Sequence, residues 1–226
     1  MRARPIRVAG RAGALALAAI LAPDMAAAQD SDFELWLDQS VTYELDSGTS
    51  VELETAQRLR SADAGREDTY YARFWVNQEV ADGVTLAGAV ERRINDPGDD
   101  ETRLHQQVSL RRGIFRGRLR AEQRFVDDRG GRVGLRLRTR AGVEVPLDGE
   151  EARWAFFSNA ELFLTLRGTS IGGDEGVTGL RTQVGASYEV SDAVSLSLGY
   201  LRQQDFQDGE DDRVGHAPLV GVELSF

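Results

Sequence analysis

From Asp32 to the carboxyl terminus, apolar side chains fall on every second position and nearly every charge falls on the positions between them. A period of two is the mark of extended backbone, whose successive side chains point to opposite faces; a helix needs apolar residues every three to four positions. The opening segment sets the rule. Phe33, Leu35, Leu37, Val41, Tyr43 and Leu45 share one parity, and Glu34, Trp36, Asp38, Ser40, Thr42 and Glu44 share the other. From Asp32 onward the chain reads as all β.

Each later segment repeats the pattern. After a tight turn at Asp46, Ser47, Gly48 and Thr49, the residues Val51, Leu53 and Leu59 oppose Glu52, Glu54, Arg58 and Arg60, which makes a hairpin. Arg73 sits opposite Tyr70, Phe74 and Val76; Glu91 and Arg93 sit opposite Val90 and Ile94; Arg103 and His105 sit opposite Leu104 and Val108. Arg116, Arg118, Arg120, Glu122 and Arg124 make the sixth strand strongly basic, and Arg136, Arg138 and Arg140 continue into the seventh. Glu161 in the eighth and Arg181 in the ninth keep the polar parity, and strands at 194–202 and 214–226 complete a count of eleven. Connections alternate between short ones, near Asp46, Ala81, Gly113, Pro146 and Asp192, and long ones at 61–68, 95–101, 127–131, 168–178 and 203–213. Closed bacterial membrane barrels have even strand numbers, so the expectation is ten strands or twelve.

Residues 1–28 carry Arg2, Arg4, Arg7 and Arg11, an apolar run from Ala12 to Ala22, and the small residues Ala26, Ala27 and Ala28. This is the layout of a cleavable secretory signal, and an 11-residue apolar run is too short for a helix that must span about 20 residues of bilayer. The expected mature domain is 29–226. Removing four arginines and Asp24 with the signal leaves 23 basic and 36 acidic residues, a net charge of −13, which argues against nucleic acid as a partner. With no cysteine, backbone pairing and packing alone must hold the fold.

Alternation also suits a periplasmic sandwich or a lipocalin-like barrel, so three further features decide. Charges on the apolar parity are confined to Arg92 and Arg202, both close to long loops, as a lipid-facing surface requires. Aromatics on that parity gather at strand ends: Tyr43, Trp154, Phe156, Tyr188 and Phe226 near short turns, Phe33, Tyr70, Phe125 and Tyr200 near long loops. Two interfacial girdles have this distribution, with Phe74 as an exception. The chain also stops on an outward aromatic, after Val220, Val222 and Leu224 have alternated with Gly221, Glu223 and Ser225. The expected fold is an antiparallel, up-and-down transmembrane β-barrel of 10 to 12 strands in the outer membrane of a Gram-negative bacterium. Its partners are then outer-membrane lipid and lipopolysaccharide.

The opening Asp32, Phe33, Glu34, Leu35, Trp36, the run from Phe156 to Phe163 and the Gly199, Tyr200 pair before a terminal Phe resemble domain-of-unknown-function family 2490. The resemblance covers essentially the whole mature chain. It implies a small outer-membrane barrel and supplies no catalytic residue to transfer. The aromatic closing strand is also similar to the signal read by the barrel-insertion machinery during assembly.

A lipid-modifying barrel enzyme needs a Ser and a His together on its lipid-facing surface. His105, with Ser109, falls on the inward parity; His216 faces outward beside Tyr200 and Arg202, without a Ser nucleophile. The expectation is a non-enzymatic protein with no cofactor and no metal. The inward face instead carries a charge network: Glu34, Asp38, Glu52, Glu54, Arg58, Arg73, Glu91, Arg93, Arg103, Arg118, Arg120, Glu122, Arg136, Arg138, Glu161 and Arg181. Acids come early and arginines in the middle, which places opposite charge on opposite walls. An ion-paired plug is favoured because long arginines fill lumen volume, with a narrow, porin-like channel for small charged solutes as the alternative. The acidic loops, with Asp96, Asp99, Asp100, Asp127, Asp128, Asp205, Asp208, Asp211 and Asp212, lack the spacing of a calcium loop and read as solvated.

Overall fold

A computed structural model describes residues 31–60, 68–127, 130–147, 152–209 and 211–226. The predicted signal at 1–28 and the acidic Asp128 lie outside the described residues. Eleven strands follow in chain order: β1 (Ser31–Glu44), β2 (Thr49–Arg60), β3 (Asp68–Ala81), β4 (Val84–Asp96), β5 (Glu101–Arg112), β6 (Phe115–Val126), β7 (Gly134–Pro146), β8 (Trp154–Arg167), β9 (Gly176–Ser191), β10 (Val194–Asp205) and β11 (Arg213–Ser225). Each pairs antiparallel with its sequence neighbours, and β1 and β11 close the sheet into a barrel.

The closure bears out the count of eleven strands and overturns the expected even number. β1 pairs with β11 in parallel, with Phe33 opposite His216, Leu37 opposite Val220 and Thr42 opposite Ser225. An up-and-down barrel with antiparallel closure must have an even number of strands; one parallel seam removes that requirement, and eleven is the true number. The seam is secured at its end by Phe226, whose N–H donates to the Thr42 carbonyl at 3.0 Å while its carbonyl accepts from Glu44 N at 2.9 Å. Consequently β1 and β11 both run from the long-loop end to the short-turn end.

The turns are short for local reasons. The Asp46 carboxylate accepts from Gly48 N at 3.0 Å and Thr49 N at 2.9 Å, closing the β1–β2 hairpin. Between β3 and β4, Gly83 adopts φ +67, and a Cβ there would stand 2.1 Å from the Arg111 carbonyl oxygen, so only glycine fits.

The barrel is inverted relative to a water-soluble protein. Among the described residues thirty-two large apolar side chains are exposed, most of them on the outer wall of the strands, with Leu198 at 65% and Phe33 at 66% exposure. Among the described residues nine apolar ones are buried, against sixteen polar or charged ones. Neighbouring residues divide the same way: Leu162 is exposed outside, whereas Arg138 and Glu161 are buried inside. Tyr43, Tyr70, Phe125, Trp154, Phe156, Tyr200 and Phe226 are all exposed on the outer face, and the Trp154 and Tyr188 rings meet at 4.6 Å between centroids. Register adds four outward charges to the expected Arg92 and Arg202, two of them Asp68 and Asp96, which pair with each other on the parity of Tyr70 and Ile94. Arg112 pairs with outward Phe115, and Arg167 pairs with outward Leu135, both at strand ends. Among the described residues one apolar cluster faces the lumen, formed by Trp36, Leu201, Ala217 and Leu219 behind the parallel seam.

Candidate functional site

All sixteen predicted network residues point into the lumen, and register brings most of them together in its loop-side half. Three carboxylates act as hubs. Glu91 on β4 is fully buried; it accepts from Arg73 Nε at 2.7 Å, pairs with Arg93 at 2.9 Å and has Arg103 at 3.7 Å. Glu122 on β6 takes Arg136 at 2.6 Å and Arg138 Nη1 at 2.8 Å. Glu161 on β8 takes Arg138 Nη2 at 2.6 Å, Arg118 in a short contact, and Arg181 at 3.6 Å. Arg138 therefore bridges two hubs. His105 lies between the third hub and Glu122: its Nε2 lies 3.2 Å from Glu91 and its Nδ1 3.7 Å from Glu122, neither with hydrogen-bond geometry. With Glu54 on β2 held to Arg73 at 2.7 Å, the network runs without a break from β2 to β9.

Toward the loops the same pattern continues. Glu101 pairs with Arg103 and, at 2.6 Å, with Arg124, while Glu34 pairs with Arg60 at 3.1 Å and accepts from Trp36 Nε1 at 2.6 Å. Arginines outnumber the acids in this half, and aromatic faces take up the surplus. Arg58 lies 3.9 Å from the Trp36 ring centroid and Arg181 4.6 Å from it; Arg120 stands 4.7 Å from Trp75; Arg93 stands 4.9 Å from Tyr71; Arg138 stands 4.8 Å from Phe163. The planar guanidinium stacks on a ring and forks to a carboxylate at once, which a lysine cannot do. Arg120 Nε finds an uncharged partner, donating to Gln107 Oε1 at 2.8 Å. The sequence reading did not single out Tyr71, Trp75 and Phe163; their signal was that they share a parity with the arginines.

The turn-side half is open. A cavity of about 1540 Å³ enters from the short-turn end, with Asp38, Glu54, Arg118, Arg140, Asn159 and Gln183 at its floor. Carboxylates of β1, β2, β3, β9 and β11 line one arc, including Asp38, Glu52 and Glu223, and arginines of β5, β6 and β7 line the facing arc, where the one carboxylate, Glu144, is paired with Arg116. The expected opposition of charge between walls is found here, whereas deeper in the lumen acids and arginines interleave. Phe157 reaches into this space against Gly185 and Gly199; a Cβ at Gly185 would stand 2.5 Å from its Cζ. The lumen is thus plugged through one half and hollow through the other, so the expected plug accounts for part of it.

Outside the barrel, His216 Nδ1 makes a short hydrogen bond with the Tyr200 hydroxyl. No group of three or more potential metal ligands occurs among the described residues.

A closed β-barrel with a charged, aromatic-braced interior and an apolar exterior is the class that fold and site together define. The chain belongs to the family described as a protein of unknown function, DUF2490, whose model matches residues 33–214, from the start of β1 to the start of β11. The family match therefore spans β1 to β10 and stops where the closing strand begins. No curated protein matches the chain.

Proposed function

We propose that this protein is an outer-membrane β-barrel of a Gram-negative bacterium, with its short turns in the periplasm and its long loops outside, and that it neither conducts ions nor catalyses a reaction. The observation that carries this reading is the inverted polarity. Soluble monomers rarely expose apolar patches beyond a few hundred Å², and here the apolar side chains cover the whole circumference. In hydrocarbon the same surface is satisfied, and barrel closure leaves no unpaired edge. A non-conducting lumen is supported by the interlocked hubs Glu91, Glu122 and Glu161, each at most 2% exposed. A non-enzymatic role is supported by His105 being enclosed between carboxylates and His216 being bonded to a tyrosine, with neither beside a nucleophile. At the loop end, outward Arg92 is bound by Asp100 at 2.8 Å and Asp127 at 2.7 Å, a cluster at the height of lipopolysaccharide head groups.

The hollow turn-side half favours a second reading, a narrow channel for small charged solutes. Reconstitution into planar bilayers separates the two. The plugged barrel inserts, shows heat-modifiable migration on a denaturing gel and stays electrically silent; discrete conductance steps would establish the channel, and failure to enter vesicles would remove both readings.

A further inference from the structure

The turn-side vestibule holds charges of both signs that the fold leaves unmatched. In the plug, every acid hub pairs with arginines at close range, so this lumen readily makes ion pairs where its walls interdigitate. On the vestibule wall, Arg140 has no ion-pair or hydrogen-bond partner among the described residues, and neither do the Glu52, Asp38 and Glu223 carboxylates. Asp38 Oδ1, Arg118 Nε and Asn159 Oδ1, all in residues lining the floor, are buried without a hydrogen-bond partner. The plug also leaves nitrogens of Arg58, Arg103 and His105 unbonded, but the vestibule adds whole carboxylates and a guanidinium without an ion pair, beside open space; buried or half-buried polar groups are normally satisfied, so this combination points to a ligand.

The two arcs keep these charges apart. Eleven strands spaced about 4.8 Å and tilted about 40° close a ring roughly 22 Å across. Side chains reaching in from both walls leave roughly 10 Å between the charged groups, too far for direct pairing and close to the end-to-end length of an extended tripeptide. A simple anion entering here meets the acidic arc, and a simple cation meets the basic one. A molecule with an amine at one end and a carboxylate at the other gains from both walls and is repelled by neither.

We propose that the vestibule binds a small zwitterion of tripeptide size, its carboxylate on Arg140 and Arg118 and its amine on Asp38 and Glu52. The proposal deepens the reading of the barrel as dead-ended, because a plug behind the floor lets a ligand dwell there.

The test uses the full barrel folded in detergent micelles and equilibrium dialysis with three probes: trialanine, N-acetyl-trialanine and trialanine amide. Trialanine binds tightest, and blocking either end weakens binding at least about tenfold. Arg140→Gln removes the preference for trialanine over its amide while keeping the penalty for acetylation, and Asp38→Asn does the reverse. The three-probe ranking on the unmutated protein needs no variant to fold, and heat-modifiable migration reports folding for each substitution. Binding of the acetylated probe as tightly as trialanine overturns the proposal in favour of a plain anion site. Absence of binding to protein with native migration overturns it outright. Conductance of the same preparation is read separately: a conducting barrel with the probe ranking intact would sink the dead-end reading and leave the site standing.

Discussion

Glu91 shows why the plug depends on single side chains. It is fully buried among Arg73, Arg93, Arg103 and His105. Such a hub contributes little net stability relative to an apolar replacement of the whole cluster, but removing the one anion strands several buried cations. Glu91→Gln is expected to cost about 3–5 kcal/mol, read as a lower urea midpoint for the heat-modifiable form. Glu144→Gln, which breaks the exposed pair with Arg116 at 3.2 Å, should shift the same midpoint by less than about 1 kcal/mol. Asp46 gives a pH-dependent test outside the strands. Hydrogen bonds from the Gly48 and Thr49 backbone hold its carboxyl below the usual range. A depressed folded-state pKa stabilises above the unfolded value and is lost as pH falls through the folded one. The advantage of the native protein over Asp46→Asn is therefore present at neutral pH and vanishes on acidification, which paired urea titrations across pH would check. At this scale the sequence was informative about direction and silent about partners. Parity showed that His105 and Glu122 face inward, but that His105 links Glu122 to Glu91 depends on the registers of β4, β5 and β6.

Strand β1 carries the main departure from expectation. Its alternation is as regular as that of any other strand, and nothing in it specifies whether the partner across the seam runs with it or against it. The parallel seam sends β1 from the loop end to the turn end, which an even-numbered barrel would reverse. Single cysteines test this with an impermeant maleimide on oriented membranes. Ser31→Cys and Asp99→Cys should label from the same side, and Ser47→Cys from the opposite one; labelling of Ser31→Cys together with Ser47→Cys would refute the parallel closure. The outer faces of the strands make a further prediction. Val90, at the middle of β4 and 47% exposed, should tolerate arginine poorly, with a loss of about 2–4 kcal/mol in a bilayer. A water-facing position would lose next to nothing in the same comparison of urea midpoints, since exposed surface substitutions stay within about 0.5 kcal/mol.

Considered whole, the molecule is a cylinder whose two halves differ: the loop-side half is packed with paired charge and the turn-side half is hollow and split into arcs of opposite sign. The class of fold and the inward and outward faces were determined by the sequence alone, because strand alternation is a local property readable residue by residue from Phe33 to Phe226. So was the segregation of acids in β1 and β2 from arginines in β6 and β7. Only the tertiary structure decided that β1 closes on β11 in parallel, that Glu91, Glu122 and Glu161 become hubs, and that Arg140 and Asp38 face an open cavity. Each of these depends on which residues from distant strands reach the same depth of the barrel. Depth is set by register and tilt accumulated around the whole ring, a non-local quantity that no period along the chain encodes.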